Sequence, residues 1–194
     1  MQVLNPHQSK DLTQRFPDFE LSYETVSHKK VSEHYDLTLA IPYGKKAFLW
    51  FTFYHNKNTC FLMELNKERK IGKVSILFQN HIPCSLAYNT LIYGCLWQPE
   101  NETNPVFIVE DGVYYEGVPL CKQPVNEKMA FLQCFFDKYS ELLMAQSSIP
   151  IYMPIIWPYQ ESLPLSWQDR IPYQVHHLQH RSLQKIVPFI NVPI

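Results

Sequence analysis

Apolar and polar residues alternate along the first two thirds of the chain, with the period of two that is typical of β-strands. Runs rich in β-branched and aromatic residues, separated by short polar turns, occur at 36–40, 46–54, 60–65, 73–78, 90–97, 106–110, 113–115 and 118–120. Pro42 and Gly44 lie between the first two runs and favour a hairpin there. Because strands joined by short turns usually pair antiparallel, the pattern predicts a mostly antiparallel sheet.

The period changes to three and four between residues 126 and 145, which predicts one long helix. Its apolar stripe contains Met129, Leu132, Phe135, Phe136, Tyr139, Leu142 and Leu143. Asn126 is a candidate N-cap and Glu127 suits the positive end of the helix dipole. The chain is then proline-rich and extended at 149–157, has a short predicted helical turn at 163–170, and returns to strand at 173–180. The sequence therefore predicts an α+β fold, mostly antiparallel β-sheet with one principal helix.

Length and composition are those of one folded domain. The chain has 194 residues, of which 46% are hydrophobic and 14% aromatic, enough for a substantial core. Residues 1–17 are polar and aperiodic, so we predict an N-terminal arm at 1–17 and a single domain at 18–194. No signal-like segment is present and no apolar run approaches 18 residues, so we expect no membrane insertion and a cytoplasmic or nuclear location.

Charge and cysteine content exclude two broad classes. The formal net charge is −1, which argues against strong non-specific attraction to nucleic acid. The five cysteines lie in or beside apolar stretches and show no Cys-x-x-Cys spacing, so we expect buried free thiols and no disulfide framework or zinc site.

Four segments, in order, resemble the nucleotidyltransferase domain of mRNA capping enzymes and ATP-dependent ligases, and most closely its degenerate form in the snurportin-type cap-binding domain. Tyr35–Phe53 is similar to a family strand–turn–strand with a Pro-x-Gly-Lys-Arg turn, and Thr90–Trp97 to the family's Thr-x-Leu-Asp-Gly-Glu-Leu strand. Pro105–Leu120 resembles the strand–turn–strand that follows, and Ile171–Arg181 the Pro-Tyr-Glu-Val-Asp-Gly strand. The resemblance spans 35–181 and implies a nucleotidyltransferase-like fold with a nucleotide cleft.

The residues that the family uses for catalysis are missing. Active members attack the nucleotide with the lysine of a Lys-x-Asp-Gly motif, and carboxylates on neighbouring strands hold the metal and the ribose. Here residues 93–95 read Tyr-Gly-Cys in place of Asp-Gly-Glu, and Val175–Leu178 replaces Val-Asp-Gly-Leu. No Lys-x-Asp-Gly occurs, and Lys45 and Lys46 precede the expected position of the nucleophile. We therefore predict no catalytic residue, no cofactor and no metal.

The resemblance also indicates which residues would surround the relict nucleotide cleft. It implies that Tyr93, Cys95 and His176 converge on one concave surface. Lys45 and Lys46 are candidates for contact with a phosphate, although lysines in a turn are also commonly solvated.

Histidines and an arginine are concentrated on the predicted strand at 173–180. On a strand His176 and His180 share one face, while His177 and Arg181 share the other. One face is expected to line the cleft, with Arg181 at its mouth, because a guanidinium can bind a phosphate or carboxylate through two parallel hydrogen bonds. The alternatives are a polar strand satisfied by neighbours or a partner chain, and a metal site, which lacks an obvious third ligand.

Aromatic residues suggest a stacking site. Trp157 and Trp167 lie in predicted loops and are candidates for stacking on a methylated guanine, whereas Trp50 and Trp97 lie on predicted strands and are expected in the core. The Glu-Asp pair at 110–111 precedes a predicted turn at Gly112, so we expect ordinary surface acids there.

These observations favour a non-catalytic scaffold or interaction subunit with protein partners in a larger assembly. The proline-rich segment 149–167 is a candidate docking surface, because extended backbone loses little entropy on binding. The alternative is a reader of a nucleotide or RNA cap that uses the relict cleft. Degenerate domains of this kind occur in large DNA viruses, which would make the chain a transcription-associated or virion component.

Overall fold

The computed structural model describes residues 1–21, 24–26, 34–100, 102–159 and 173–194. Within them the fold is α+β, with mostly antiparallel sheets and few helices, as the sequence predicts. The elements are β1 (Gln2–Val3), α1 (Pro6–Thr13), β2 (Glu24–Val26), β3 (Leu37–Pro42), β4 (Lys45–Tyr54), β5 (Lys57–Leu65), β6 (Ile71–Phe78), α2 (Cys84–Ala87), β7 (Thr90–Trp97), β8 (Val106–Tyr115), β9 (Val118–Pro119), α3 (Val125–Gln146), β10 (Ile151–Tyr152), β11 (Ile156–Pro158), β12 (Val175–Arg181) and β13 (Phe189–Pro193). Trp167 and the turn predicted at 163–170 lie outside the described residues.

The described strands form two sheets. The larger sheet has the order β1-β6-β5-β4-β7-β8-β10, with β9 added to β8. The smaller sheet has the order β11-β3-β12-β13-β2. The pairs are antiparallel except β10 with β8 and β2 with β13.

The turn at Tyr43 and Gly44 joins the two sheets, so the hairpin predicted there is wrong. The strand before it, β3, pairs with β11 and β12, whereas β4 pairs with β5 and β7. A side chain at position 44 would meet the backbone oxygen of Leu96 at 2.5 Å, so only glycine lets the turn lie so close to β7. β4 instead pairs antiparallel along most of its length with β5 on one side and β7 on the other.

The principal helix covers one face of the larger sheet. α3 contains the predicted span 126–145 and buries Leu132, Phe135, Tyr139 and Leu143. They join a continuous apolar cluster with residues of β4, β5, β7 and β8. The helix begins one residue earlier than expected: Pro124 is the N-cap, and the Asn126 amide donates to the backbone oxygen of Leu183. Pro124 is suited to this place because it has no N–H to leave unpaired.

The N-terminal residues, predicted as an arm at 1–17, contain a short strand and a helix. β1 pairs with β6, and α1 begins at a capping box in which Asn5 and Gln8 exchange side chain–backbone hydrogen bonds. Leu4 and Leu12 are buried in an apolar cluster on the other face of the larger sheet. Two buried leucines eight residues apart are too few to produce a visible helical period.

Within the described residues no helix is long and apolar enough to cross a membrane. The five cysteines are free, but only Cys60 and Cys95 are buried; Cys84 and Cys134 are exposed, contrary to the expectation of buried thiols throughout. Each of the two exposed cysteines lies on a helix, where apolar neighbours in sequence do not share its face.

Candidate functional site

A β-bulge in β8 places two acids between the sheets. Tyr93 pairs with Asp111 and Gly94 with Val109, so Glu110 is an additional residue opposite β7. Glu110 and Asp111 therefore both line a small cavity between the sheets. They are only 3% and 5% exposed, so the prediction of ordinary surface acids is wrong. The predicted turn at Gly112 is wrong as well, because β8 continues to Tyr115.

Each of these acids is paired with a lysine. Lys46 on β4 donates to both Glu110 carboxylate oxygens at 2.6 Å, and Lys128 on α3 donates to Asp111 at 2.8 Å. Burial raises the pKa of Glu110, and the charge and hydrogen bonds of Lys46 oppose that shift. The side chain of Lys128 is 5% exposed, so both members of its pair are buried.

The smaller sheet contributes Arg181, which lies inside the protein and not at the mouth of a cleft. Its Nε and Nη2 donate to the side-chain oxygen of Gln179 at 2.8 and 2.5 Å, and its guanidinium lies 4.2 Å from the centre of the Phe189 ring. Burial lowers the pKa of Arg181, whereas the charges of Asp111 and Glu110 raise it. The arginine is 3% exposed, so the prediction of a position at the mouth is wrong.

The two faces of β12 are separated as predicted, with the His177 face directed inward. His177 is buried; its Nδ1 lies 2.7 Å from Nδ1 of His176, and its Nε2 has no hydrogen-bond partner among the described residues. Burial lowers the pKa of His177 to about 4, helped by the charges of Lys46 and His176. The buried imidazole is therefore neutral at pH 7.

His176 and His180 lie on the outer face of this strand. The exposed His176 ring meets Tyr43 at 4.6 Å between centres. His180 is half-buried, with Nδ1 3.0 Å from the Thr38 hydroxyl and its ring 4.8 Å from Tyr159, and burial lowers its pKa. Neither histidine lines the small cavity between the sheets.

Tyr93 and Cys95 do lie on the inner face of β7. The Tyr93 ring is 5.8 Å from the Lys46 amino group, and Cys95 pairs with Lys46 across the strands. The Cys95 thiol is 3.7 Å from the backbone oxygen of Pro42. Burial raises the pKa of Cys95 to about 12, helped by Glu110, so this thiol stays protonated at pH 7. The structure thus brings Lys46, Tyr93 and Cys95 together and leaves His176 on the outer face.

Only a small cavity lies beside these charged side chains among the described residues. The cavity that remains has a volume of about 10 Å³, which is room for about one water molecule. It is lined by Leu21, Glu24, Tyr93, Glu110, Asp111, Arg181 and Phe189.

An open groove of about 1030 Å³ lies at the end of the larger sheet where β4 begins and β7 ends. Its aromatic lining consists of Tyr43, Trp97, Tyr152 and Tyr173, and we call it the aromatic groove. Trp97, expected in the core, is only half-buried and packs edge-on against Tyr173 at 5.8 Å. Trp157, expected to be free for stacking, is half-buried on β11 against the apolar cluster between the sheets.

Among the described residues, three charged ones line the aromatic groove: Lys45, Glu100 and Glu102. The two glutamates are exposed, and Gln98 donates to the backbone oxygen of Glu102 at 2.6 Å, which fastens the loop that carries them. Lys45 is on the opposite face of β4 from Lys46 and donates to Glu64 at 2.7 Å. The two adjacent lysines therefore do not act on one common ligand.

Two signals in the sequence could have identified the buried charges. Lys128 lies four residues before Leu132, within the apolar stripe of the predicted helix, where a lysine needs a buried partner. The acids at 110–111 have strand-forming residues on both sides, which is typical of a strand interior more than of a turn.

The described residues contain no group of three histidine, cysteine, aspartate or glutamate side chains that could hold a metal ion. No protein-family model matches the chain, and no curated protein is significantly similar to it. The described residues thus form two features of functional interest. One is an interior in which lysines are paired with carboxylates, and the other is the open aromatic groove beside it.

Proposed function

We propose that this chain is a non-catalytic, nucleotidyltransferase-like domain that acts as an interaction subunit of a larger assembly. The observation that carries the proposal is the pairing of both acids with lysines beside a small cavity. The proposal includes protein partners in the cytoplasm, the nucleus or, for a viral protein, the virion.

The first support is the engagement of the groups that the reaction would need. Nucleotidyl transfer requires an amine free to attack phosphorus and carboxylates free to hold a metal ion. Lys46 is instead bound to Glu110, and Lys128 to Asp111. Each lysine neutralises an acid, and each acid neutralises a lysine.

The second support is the lack of room. Binding sites for small molecules usually have volumes of about 300–1,000 Å³, whereas the cavity between the sheets has about 10 Å³. A nucleotide would have to displace Arg181 from Gln179 and separate both ion pairs. Removing one partner from a buried pair costs about 3–5 kcal/mol, and a ligand that separated Lys128 from Asp111 would have to recover a cost of that order.

A covalent-labelling experiment tests the absence of catalysis. The chain is incubated with radiolabelled GTP or ATP and with Mg²⁺ or Mn²⁺, then denatured and separated by electrophoresis. We expect no label on the protein. Label that survives denaturation and disappears in Lys46→Ala would overturn the proposal, because it would identify Lys46 as a nucleophile.

A crosslinking experiment tests the interaction role. A photoreactive phenylalanine analogue replaces Tyr152, which is 57% exposed in the aromatic groove, and in a second variant replaces Tyr88, which is 67% exposed outside that groove. In the cells that make the protein, we expect a discrete protein adduct from position 152 that is absent from position 88. Recovery of the chain as an uncrosslinked monomer in both variants would contradict the proposal.

The alternative is a reader of a nucleotide or RNA cap, and the aromatic groove is the place for such a ligand because Trp97 is partly accessible there. A tryptophan-fluorescence titration with GTP and 7-methyl-GTP distinguishes the two proposals. We expect no saturable quenching at millimolar nucleotide. Saturable quenching that is lost in Tyr152→Ser would favour the reader.

A further inference from the structure

Acidic residues line part of the aromatic groove, and they determine which charge a bound ligand should carry. Its lining includes two exposed carboxylates, Glu100 and Glu102, and one lysine, Lys45, whose amino group already contacts Glu64. Of the described lining residues, two would present carboxylates to a ligand with phosphates, and one would present an ammonium that already contacts a carboxylate. Complementarity therefore favours a cationic ligand.

The remaining lining favours a ligand held by apolar packing. Tyr43 and Tyr152 are 48% and 57% exposed, so each presents part of its ring to the groove. Pro99 and Pro150 also line it, and neither has a backbone N–H to donate to an added strand. These features fit a proline-containing segment, whose extended helix has no internal hydrogen bonds and packs on aromatic side chains.

The groove is held in place by contacts below its surface. The Tyr173 hydroxyl donates to the backbone oxygen of Ala40 at 2.9 Å and accepts from the amide of Ile155 at 3.1 Å. Tyr173 in turn supports Trp97. A site fixed in this way loses little conformational entropy when it binds.

We propose that the aromatic groove binds an extended, basic, proline-containing segment of a partner protein. This inference rests on the proposed interaction function and names the chemistry of the partner. Prolines of the segment pack against Tyr43, Trp97 and Tyr152, and its lysine or arginine side chains contact Glu100 and Glu102. The groove's volume of about 1030 Å³ leaves room for several residues of extended peptide.

Isothermal titration calorimetry with defined probes tests the inference. The probes are a proline-rich peptide that contains two arginines, the same peptide with glutamates in place of the arginines, and 7-methyl-GTP. We expect the wild-type chain to bind only the arginine peptide, and to bind it more weakly at about 0.5 M salt than at about 0.05 M salt.

Three variants locate the binding. Tyr152→Ser should weaken binding of the arginine peptide about tenfold. The double variant Glu100→Gln, Glu102→Gln should weaken it about threefold to tenfold and remove most of the salt dependence. Tyr88→Ser is the matched control, since Tyr88 is an exposed tyrosine that packs against Phe53, at the end of β4 opposite the groove, and we expect unchanged affinity. Equal thermal midpoints of the variants show that the fold is intact.

Failure of the inference and failure of the proposed function give different results. Absence of binding by the arginine peptide, equal binding of both peptides, or undiminished binding in the Tyr152 and glutamate variants would overturn the inference. Binding of 7-methyl-GTP in competition with the peptide would overturn it too and would assign the groove to a nucleotide. These outcomes concern the binding of peptides and 7-methyl-GTP, and they leave the proposed function standing. Covalent labelling of the protein by GTP or ATP is the separate outcome that would overturn the proposed function.

Discussion

The two faces of the larger sheet have opposite chemistry. The face under α3 is a continuous apolar cluster in which Phe51, Phe107 and Phe135 are fully buried. The other face has two separate apolar clusters, one beneath the N-terminal helix and one between the sheets, and the carboxylates of both ion pairs line a small cavity with Arg181 on this inter-sheet side. The first face fits the general rule that apolar residues fill protein cores, and the second departs from it.

The difference indicates which face supplies the stability of the fold. Burial of an aromatic or aliphatic side chain contributes about 1.5–3 kcal/mol. A buried ion pair contributes little or nothing relative to apolar residues of the same size, because the cost of desolvation offsets the attraction. The ion pairs therefore add little to stability, which comes mainly from the apolar clusters on both faces of the larger sheet.

The largest expected effect comes from breaking one buried pair. Asp111→Ala leaves Lys128 buried without the carboxylate that lies 2.8 Å from its amino group. We expect a loss of about 3–5 kcal/mol in the free energy of unfolding, measured by urea denaturation.

Replacing both members of this pair separates charge from packing. The double variant Asp111→Leu, Lys128→Met should recover most of the stability that Asp111→Ala loses, because it removes the lysine charge together with the carboxylate that neutralises it. A double variant as unstable as the single one would show that the pair stabilises the fold in its own right.

The next largest loss of stability is expected from a steric clash between β7 and β8 at Gly94. A side chain at Gly94 would place its Cβ 2.2 Å from the backbone oxygen of Ile108 and 2.8 Å from the Phe107 ring. Because the backbone of β8 cannot move without disturbing the core, we expect Gly94→Ala to cost about 1–3 kcal/mol by thermal or urea denaturation. Gly72→Ala is the matched control: its Cβ would have no neighbour closer than 3.6 Å, so a comparable loss there would contradict the explanation.

The strands and the long helix could be predicted because each depends on a local period. The central strand β7 has the predicted bounds, Thr90–Trp97, and α3 differs by one residue at each end. Their alternating and three-four patterns directly record which side chains face the core.

The candidate site could not be predicted in the same way, because it depends on register and on pairing across the chain. The bulge at Glu110 turns two acids toward the smaller sheet, and no local pattern marks that additional residue. Lys45 and Lys46 lie on opposite faces of the sheet because β4 begins at Lys45 and successive residues of a strand alternate between faces. Residue propensities predict single strands, whereas the bulge and the sheet assignment of β3 and β4 depend on how two strands pair.

The histidine inside the charged face should make stability depend on pH. The pKa of His177 is lowered from about 6.5 in the unfolded chain to about 4 in the folded protein by burial and by Lys46 and His176, with Glu24 acting against them. Between these values the unfolded chain binds more protons, so stability falls as the pH falls from about 6.5 to about 4. Burial also lowers the pKa of His180, which adds to this slope, whereas the raised pKa of Glu110 gives a slope of opposite sign.

His177→Gln tests this dependence. We expect the loss of unfolding free energy between about pH 7.5 and about pH 5 to be smaller in the variant by about 1–2 kcal/mol. Urea denaturation at both pH values provides the measurement, with His7→Gln as the control because His7 is exposed on α1. An identical pH dependence in wild type and His177→Gln would mean that another group is responsible.

The smallest expected effect distinguishes the two adjacent lysines. Lys45 has a side chain that is 54% exposed, and its partner Glu64 also lies 3.4 Å from Lys73, so Lys45→Ala leaves that acid with a second cation. We expect Lys45→Ala to cost less than about 1 kcal/mol, as is usual for an exposed pair. Lys46→Ala should cost more, because it leaves Glu110 with a side chain only 2% exposed and without the lysine that donates to both of its oxygens. Urea denaturation of both variants measures the contrast, and about 0.5 M salt should reduce the effect of Lys45→Ala more than that of Lys46→Ala. Equal losses in the free energy of unfolding for the two variants would contradict this prediction, because they would show that the difference in burial between the two ion pairs does not affect stability.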